Sequence, residues 1–239
     1  MRLDKYLSSV TRLSRSQAQK AIRAGRVQVD GETEKSTSRS VAPETRVILD
    51  GSKTGQPGPR YFMLHKPQGY VCSTEDPQHP TVLDLLDEVK TDDLHFAGRL
   101  DIDATGLVLI TSDGQWSHCI VAPGRKCRKC YRVSLADPLT ALEAEKLRRG
   151  VLLRNEPQPT QPAELEILAE RNCLLTISEG RYHQVKRMFA AVGNRVVGLH
   201  RVSIGNLELD ENLAQGAYRR LSLQEVEAVT PRGMGSGDR

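Results

Sequence analysis

The sequence predicts an α+β protein of two domains, and three observations support this prediction. Short apolar runs typical of strands are interrupted by helical patterns along the chain. Glycine and proline crowd residues 51–59, where a packed element is improbable. Residues 1–26 hold seven Lys or Arg and one acidic residue. We therefore expect a small basic domain at 1–50, a flexible linker at 51–59, a larger domain at 60–230 and a disordered tail at 231–239.

The composition of the 239 residues, 38% hydrophobic and 27% charged, is ordinary for a soluble globular protein. The chain contains no run of about 18 apolar residues and no apolar signal core after Met1, so we expect a cytoplasmic protein that is neither inserted in a membrane nor secreted. The five cysteines are odd in number and irregularly spaced, which argues against a disulfide framework. We expect reduced thiols.

The basic domain begins with two predicted helices. Leu3 and Leu7 lie at helical spacing, and Ser14 with Gln17 has the spacing of a capping box that opens the second helix. Residues 26–31 then predict a strand and a tight turn. Most charge runs are solvated faces, but this one lacks balancing acids and favours nucleic acid. The candidate phosphate-binding residues are Lys5, Arg12, Arg15, Lys20, Arg23 and Arg26.

The larger domain begins with a predicted apolar strand at Tyr61–Leu64. Alternation of apolar and other residues over 164–177 predicts a hairpin. Helical patterns are predicted near residues 80–88, 139–149, 182–192 and 222–229.

A polar loop that precedes an apolar strand is the most informative segment for chemistry. It contains Asp101 and Asp103, which on composition alone would be turn or capping residues. A calcium loop fits the first six positions but fails at the twelfth, where Ser112 stands in place of glutamate. Cys127 and Cys130 form a Cys-x-x-Cys pair, but no second pair with zinc-finger spacing follows. We expect neither a metal nor a cofactor.

Several segments resemble known families. Residues 2–7, 14–18 and 24–31 resemble the S4-like RNA-binding domain. Five ordered segments resemble the RNA pseudouridine synthases of the bacterial branch that modifies ribosomal RNA; they are residues 65–73, 98–107, 111–115, 131–133 and 179–188. The resemblance implies that the first domain contacts phosphates of structured RNA. It also implies a catalytic domain with a mixed, mainly antiparallel sheet flanked by helices.

The same resemblance implies roles for individual residues. Asp101 matches the catalytic aspartate, which must be ionised whether it adds to the C1′ carbon of the ribose or takes a proton from the 2′ carbon. Lys186 matches the basic residue paired with it, and Tyr131 matches the tyrosine that stacks on the target base. Arg99 matches the residue that fills the space of the flipped nucleotide. Further phosphate contacts are expected from Arg125, Lys129, Arg181 and Arg187.

Within this resemblance, residues 182–184 and 68–72 are most similar to the small-subunit enzymes. The implied substrate is uridine 516 of 16S ribosomal RNA, either in free RNA or in a small-subunit assembly intermediate, and the implied enzyme is a monomer. Two alternatives are an enzyme acting on 23S ribosomal RNA and a non-catalytic RNA-binding protein of ribosome assembly. A pure binder has no need of a carboxylate amid positive charge, because the acid weakens phosphate binding.

Overall fold

The computed structural model describes residues 1–42, 44–55, 58–88 and 91–229. The tail predicted to be disordered, residues 231–239, lies outside them. The chain divides at Pro59 into two compact units, and Asp87–Asp93 is grouped with the first. The described helices are α1 (Leu3–Val10), α2 (Arg15–Arg23), α3 (Gly114–Val121), α4 (Ala141–Arg149), α5 (Gln184–Ala191) and α6 (Leu223–Val229).

The described strands fall into two sheets, which matches the prediction of an α+β protein. Those of the first unit are β1 (Val27–Val29), β2 (Glu32–Thr33), β3 (Val47–Leu49) and β4 (Ser52–Lys53). Those of the second unit are β5 (Tyr61–Lys66), β6 (His95–Phe96), β7 (Thr105–Thr111), β8 (Lys129–Leu135), β9 (Glu164–Ala169), β10 (Asn172–Ile177), β11 (Val196–Ile204), β12 (Leu207–Glu208) and β13 (Tyr218–Arg220).

The first unit packs α1 and α2 against an antiparallel sheet of order β2-β1-β3-β4. The predicted capping box is present, because the Ser14 side chain accepts from Gln17 and the Gln17 side chain accepts from Ser14. Leu3, Leu7 and Ile22 are fully buried between the helices and the sheet. The predicted helices and strand of this unit are confirmed.

The expectation that no packed element lies in residues 51–59 is wrong at the start of that segment. Strand β4 pairs with β3 in the antiparallel sheet. Tyr6 then donates its hydroxyl to the carbonyl of Gly55 at 2.8 Å and lies 3.1 Å from the hydroxyl of Thr54. A buried tyrosine needs a polar partner for its hydroxyl, and here the supposed linker provides it.

The second unit is organised around a nine-stranded sheet in the described part of the chain, with the path β13-β5-β7-β11-β8-β10-β9. Strands β7 and β11 pair in parallel, and the other neighbours pair antiparallel. The sheet is therefore mixed and mainly antiparallel, as expected. Strands β9 and β10 form the predicted hairpin.

Three of the four helices predicted in the second unit are confirmed as α4, α5 and α6. The helix predicted near 80–88 is wrong: only a 3-10 turn, Val82–Leu85, is present, and the backbone returns to an extended conformation at Leu86. Helix α3 was missed, although Asp113 caps it and its buried residues recur at helical spacing. The longest described helices have nine residues, and none in the described residues could span a membrane.

Candidate active site

Asp101 lies in the loop between β6 and β7, at the wall of a cleft of about 860 Å³. Tyr131 reaches the same cleft from β8, and Arg99 reaches it from the loop itself. Helix α5 begins at the rim and places Lys186 on its first turn. The structure therefore brings together the four residues that the sequence singled out for catalysis and base flipping.

The ammonium of Lys186 lies between two carboxylates. Its Nζ atom is 2.9 Å from Oδ2 of Asp101 and 2.6 Å from Oδ1 of Asp103. The Lys186 and Asp101 side chains are 27% and 23% exposed, so water screens this pair only in part. Asp101 and Asp103, the two acids that fit a calcium loop in the sequence, therefore both contact the ammonium of Lys186.

These contacts shift the pKa values of Lys186 and Asp103. Burial lowers the pKa of Lys186, but hydrogen bonds to Asp103 and Asp101 outweigh it, so the pKa is raised overall. The hydrogen bond from Lys186 lowers the pKa of the Asp103 carboxyl. Lysine and acid accordingly stabilise each other in their charged forms.

Two buried cationic side chains donate hydrogen bonds to backbone carbonyls around the loop that carries Asp101. Lys66, fully buried at the end of β5, donates to the carbonyls of Ile102 at 3.3 Å and Ala104 at 2.7 Å. Arg201, 1% exposed on β11, donates to the carbonyls of Gly98 at 2.8 Å and Leu107 at 2.7 Å. Carbonyls before and after Asp101 are therefore fastened to the sheet, which fixes where its carboxylate points.

Sequence reasoning missed His183. Its Nε2 atom lies 3.4 Å from Oδ1 of Asp101, on the carboxylate oxygen that Lys186 leaves free. The sequence placed His183 inside a helix, but the structure starts α5 one residue later and holds His183 in the left-handed region, with φ 46°. Non-glycine residues adopt that region at a cost, so no local pattern foretells it.

Two family models match the sequence, and together they reach both units of the chain. A family model described as RNA pseudouridylate synthase matches residues 60–191, more than half of the chain. A model of the S4 domain matches residues 1–47. The chain belongs to the RNA pseudouridylate synthase family. The predicted combination of an S4 domain with a pseudouridine synthase domain is thereby confirmed.

Individual relatives of this pseudouridylate synthase are similar over nearly their whole length. Ribosomal small subunit pseudouridine synthase A of Vibrio parahaemolyticus serotype O3:K6 (strain RIMD 2210633) is 56% identical over 231 residues, covering 96% of this chain and 99% of that one. The protein of the same name from Escherichia coli (strain K12) is 55% identical over 230 residues, covering 96% and 100%. A pseudouridylate synthase crystal structure gives a TM-score of 0.70 at 51% identity, covering 96% and 100%.

In this pseudouridylate synthase, Tyr131 forms part of the cleft floor. The residue is only 7% exposed, and its neighbour across β8 and β11 is Arg201. The guanidinium carbon of Arg201 lies 6.0 Å from the centre of the tyrosine ring. A buried cation beside an aromatic face favours a fixed ring position.

The cations predicted to contact RNA divide into two groups. Those that are exposed are Lys5, Arg12, Arg15, Lys20, Arg23, Arg26, Arg99 and Arg125. Of these, Arg15 also donates to buried Asp4 at 3.2 Å, and Arg26 donates to Asp50 at 2.8 Å. The exposure of these side chains is compatible with contact to RNA, which stays a prediction.

The second group is engaged within the protein. Lys129, predicted to contact phosphate, is 7% exposed, and its ammonium donates to the carbonyls of Cys127 at 2.9 Å and Ile120 at 3.3 Å. Lys129 nevertheless lines the cleft, so its contact with phosphate stays a prediction. The strand alternates in and out, and Lys129 falls on the inward side.

Arg181 and Arg187 are also held internally. Arg181 donates to the carbonyls of residues 158 and 159 at 2.8 and 2.7 Å, and Arg187 donates to the carbonyl of Arg154 at 2.7 Å. Both guanidinium groups also pair with Glu156. Their structural contacts brace the loop before β9, which the sequence alone did not indicate.

The Cys-x-x-Cys pair does not assemble a metal centre within the described ranges. Cys127 is buried and Cys130 is half-buried on β8. No group of three or more His, Cys, Asp or Glu side chains in the described part of the chain could hold a metal. None of the five cysteines, all of which lie in the described residues, forms a disulfide.

Proposed function

We propose that the chain isomerises a specific uridine of 16S ribosomal RNA to pseudouridine, and that the position is uridine 516. The observation that carries the proposal is the 2.9 Å contact between Lys186 and Asp101 in a cleft shared with Tyr131. The relatives named ribosomal small subunit pseudouridine synthase A support the choice of substrate.

The reaction needs one ionised carboxylate. The bond between N1 of uracil and C1′ of ribose breaks, the base turns, and C5 bonds to C1′ while its hydrogen leaves as a proton. Asp101 either adds to C1′ or takes a proton from the 2′ carbon, and each route uses the carboxylate as a base or nucleophile. Lys186 positions that carboxylate by a charge-assisted contact at 2.9 Å.

The remaining cleft residues position the nucleotide. Tyr131 offers its ring to the target base and can assist the removal of the C5 proton. Extracting the nucleotide from its stack costs a few kcal/mol, and Arg99, which is exposed at the cleft, fills the vacated space. The protein supplies these parts from its own side chains, and the proposal assigns it no cofactor.

In this proposal the S4 domain binds the RNA. Its six exposed cations contact phosphates without reading base edges, so affinity falls with increasing salt. The partner is 16S ribosomal RNA or a small-subunit assembly intermediate, and we propose that the enzyme acts on it in the cytoplasm as a monomer.

The test uses 16S transcripts or small-subunit assembly intermediates that carry tritium at uridine C5. Only the formation of pseudouridine releases that tritium as water. We expect release by the wild type and its loss in Asp101→Asn, with RNA binding unchanged. Asp103→Asn is the matched control, because it removes a second carboxylate from the same loop and the same lysine. Mapping the product by reverse transcription locates the modified uridine.

Other outcomes identify the alternatives. Release from 23S but not 16S RNA would keep the chemistry and replace the substrate. Binding without release from either RNA would support a ribosome-assembly protein. Equal loss of activity in Asp101→Asn and Asp103→Asn would remove the assignment of Asp101 as the catalytic carboxylate.

A further inference from the structure

An aromatic ring lies unused at the rim of the active-site cleft. Tyr182 lines the cleft and is 75% exposed, although tyrosine usually buries its ring. One face of the ring stacks on His183, with ring centres 3.8 Å apart and planes inclined by 23°. The exposed fraction leaves most of the ring, including its second face, open to solvent.

The turn that carries Tyr182 is held in place from both sides. The buried side chain of Gln184 accepts from the backbone of Arg181 at 2.8 Å and donates to Glu179 at 2.9 Å. Glu179 also accepts from the backbone of Gln161 at 2.9 Å. An aromatic ring on a flexible turn loses conformational entropy when it binds a ligand. The turn that carries Tyr182 is already ordered, so this cost is smaller.

The strained backbone at His183 is part of the same arrangement. Its left-handed conformation, with φ 46°, stacks the imidazole on Tyr182 while its Nε2 atom stays 3.4 Å from Asp101. Strain of this kind persists where the surrounding structure maintains it, and it concentrates at functional sites. The exposed ring, the imidazole and the carboxylate thus form one continuous row from solvent into the cleft.

We propose that Tyr182 is a stacking platform for an unpaired nucleobase adjacent to the target uridine. The inference rests on the proposed function, because it assumes that an RNA nucleotide enters the cleft. Extracting the target uridine exposes one face of each neighbour in the strand; Arg99, which fills the gap, can stack on one of them and leaves the other for Tyr182. Tyr131, on the floor, is assigned to the target base itself, so the open face of Tyr182 is free for a neighbour.

The surroundings favour nucleic acid over an apolar protein partner. Arg99 and Lys186 line or border the same cleft, and a cationic rim around a flat aromatic ring is the pattern of single-strand binding sites. Every base has a π face, so the contact stabilises the open strand whatever the neighbouring base is. It would therefore select for an accessible, unpaired segment rather than for a sequence.

The test compares substitutions that separate stacking from apolar contact. Tyr182→Phe keeps the ring and should retain kcat/KM for tritium release within about twofold. Tyr182→Leu keeps the apolar bulk but removes the stack and should lower kcat/KM by about 5- to 100-fold. Leu223→Ala removes a side chain of α6 that is 79% exposed and serves as the surface control, with no change expected.

RNA with an abasic nucleotide on either side of the target identifies the stacked neighbour. At that position the abasic RNA should lower wild-type activity as much as Tyr182→Leu does, and combining the two should add no further loss. Additive losses at both neighbours, or loss of activity in Tyr182→Phe equal to that in Tyr182→Leu, would overturn the proposal.

A binding measurement keeps this inference separate from the proposed reaction. RNA carrying 2-aminopurine beside the target uridine should lose fluorescence on binding the wild type and Tyr182→Phe, but not on binding Tyr182→Leu. Quenching without tritium release would retain the platform and reject the isomerase proposal. Tritium release without Tyr182-dependent quenching at either neighbour would reject the platform and retain the reaction.

Discussion

Replacing Lys186 with methionine should lower the rate of tritium release in a single turnover and leave RNA binding intact. The ammonium lies 2.9 Å from Asp101, and without it the carboxylate loses the charge-assisted hydrogen bond that positions it. A single turnover, measured with enzyme in excess over RNA, follows the chemical step rather than product release. Methionine keeps the unbranched apolar stem, so the packing of α5 is retained.

The size of the loss follows from the geometry. A hydrogen bond to a charged group contributes about 1.5–3 kcal/mol. Lys186 is shared with Asp103 at 2.6 Å, and the Asp101 side chain is 23% exposed, so the lower half of that range applies. We expect the single-turnover rate to fall by about 10- to 50-fold, because each 1.36 kcal/mol corresponds to about a factor of ten.

Asp103→Asn is the matched control for this loss. It leaves Lys186 to Asp101 alone, so the single-turnover rate should stay the same or rise. Thermal unfolding of the three proteins excludes loss of the folded state. A single-turnover rate that Lys186→Met does not change, in a folded protein that still binds RNA, would refute the role of Lys186.

Two predictions concern stability. Gly106→Ala should cost about 2–5 kcal/mol in urea denaturation, because φ is +106° and the new Cβ would lie 2.3 Å from the Arg201 carbonyl; Gly114→Ala, which meets open space, should be near neutral. The hydrogen bond from Arg2 holds the pKa of buried Asp4 well below its usual range, so its contribution is full above about pH 4 and is lost as pH falls. Asp4→Ala should lower the free energy of unfolding by about 2–3 kcal/mol at pH 7, and the stability of the variant should depend less on pH below about pH 4. If the variant lost stability with falling pH as steeply as the wild type does, Asp4 would not be the group responsible.

Local patterns were sufficient where neighbours in sequence decide the structure. The capping box of Ser14 and Gln17 lies within one turn, and the hairpin of β9 and β10 is visible as alternation. Asp101 and Lys186, in contrast, are 85 positions apart, and only the family resemblance linked them before the structure placed them 2.9 Å apart. Their catalytic roles stay predictions until Asp101 and Lys186 are replaced.

The features that the sequence did not indicate have a common physical cause. Lys129 was expected to contact phosphate because cations are normally solvated, and nothing nearby in sequence offers it a carboxylate. Its ammonium instead donates to the carbonyls of Cys127 and Ile120, whose directions depend on the folded backbone. The left-handed backbone of His183 is likewise fixed by its tertiary neighbours and not by a local sequence pattern.

The carboxylate of Asp101 lies in a cleft that is proposed to bind RNA phosphates, although a negative charge weakens phosphate binding. The buried cations Lys66 and Arg201 offset this negative charge. Carbonyls satisfy the hydrogen bonds of Lys66 and Arg201 without cancelling their charge, whereas a carboxylate partner would neutralise it. Burial lowers the pKa of Lys66 overall, while the charges of Cys72, Asp103 and Asp101 act in the opposite direction. The charge of Arg201 is not cancelled by its carbonyl partners, and in the proposed function the positive potential that it adds behind the cleft attracts the RNA backbone.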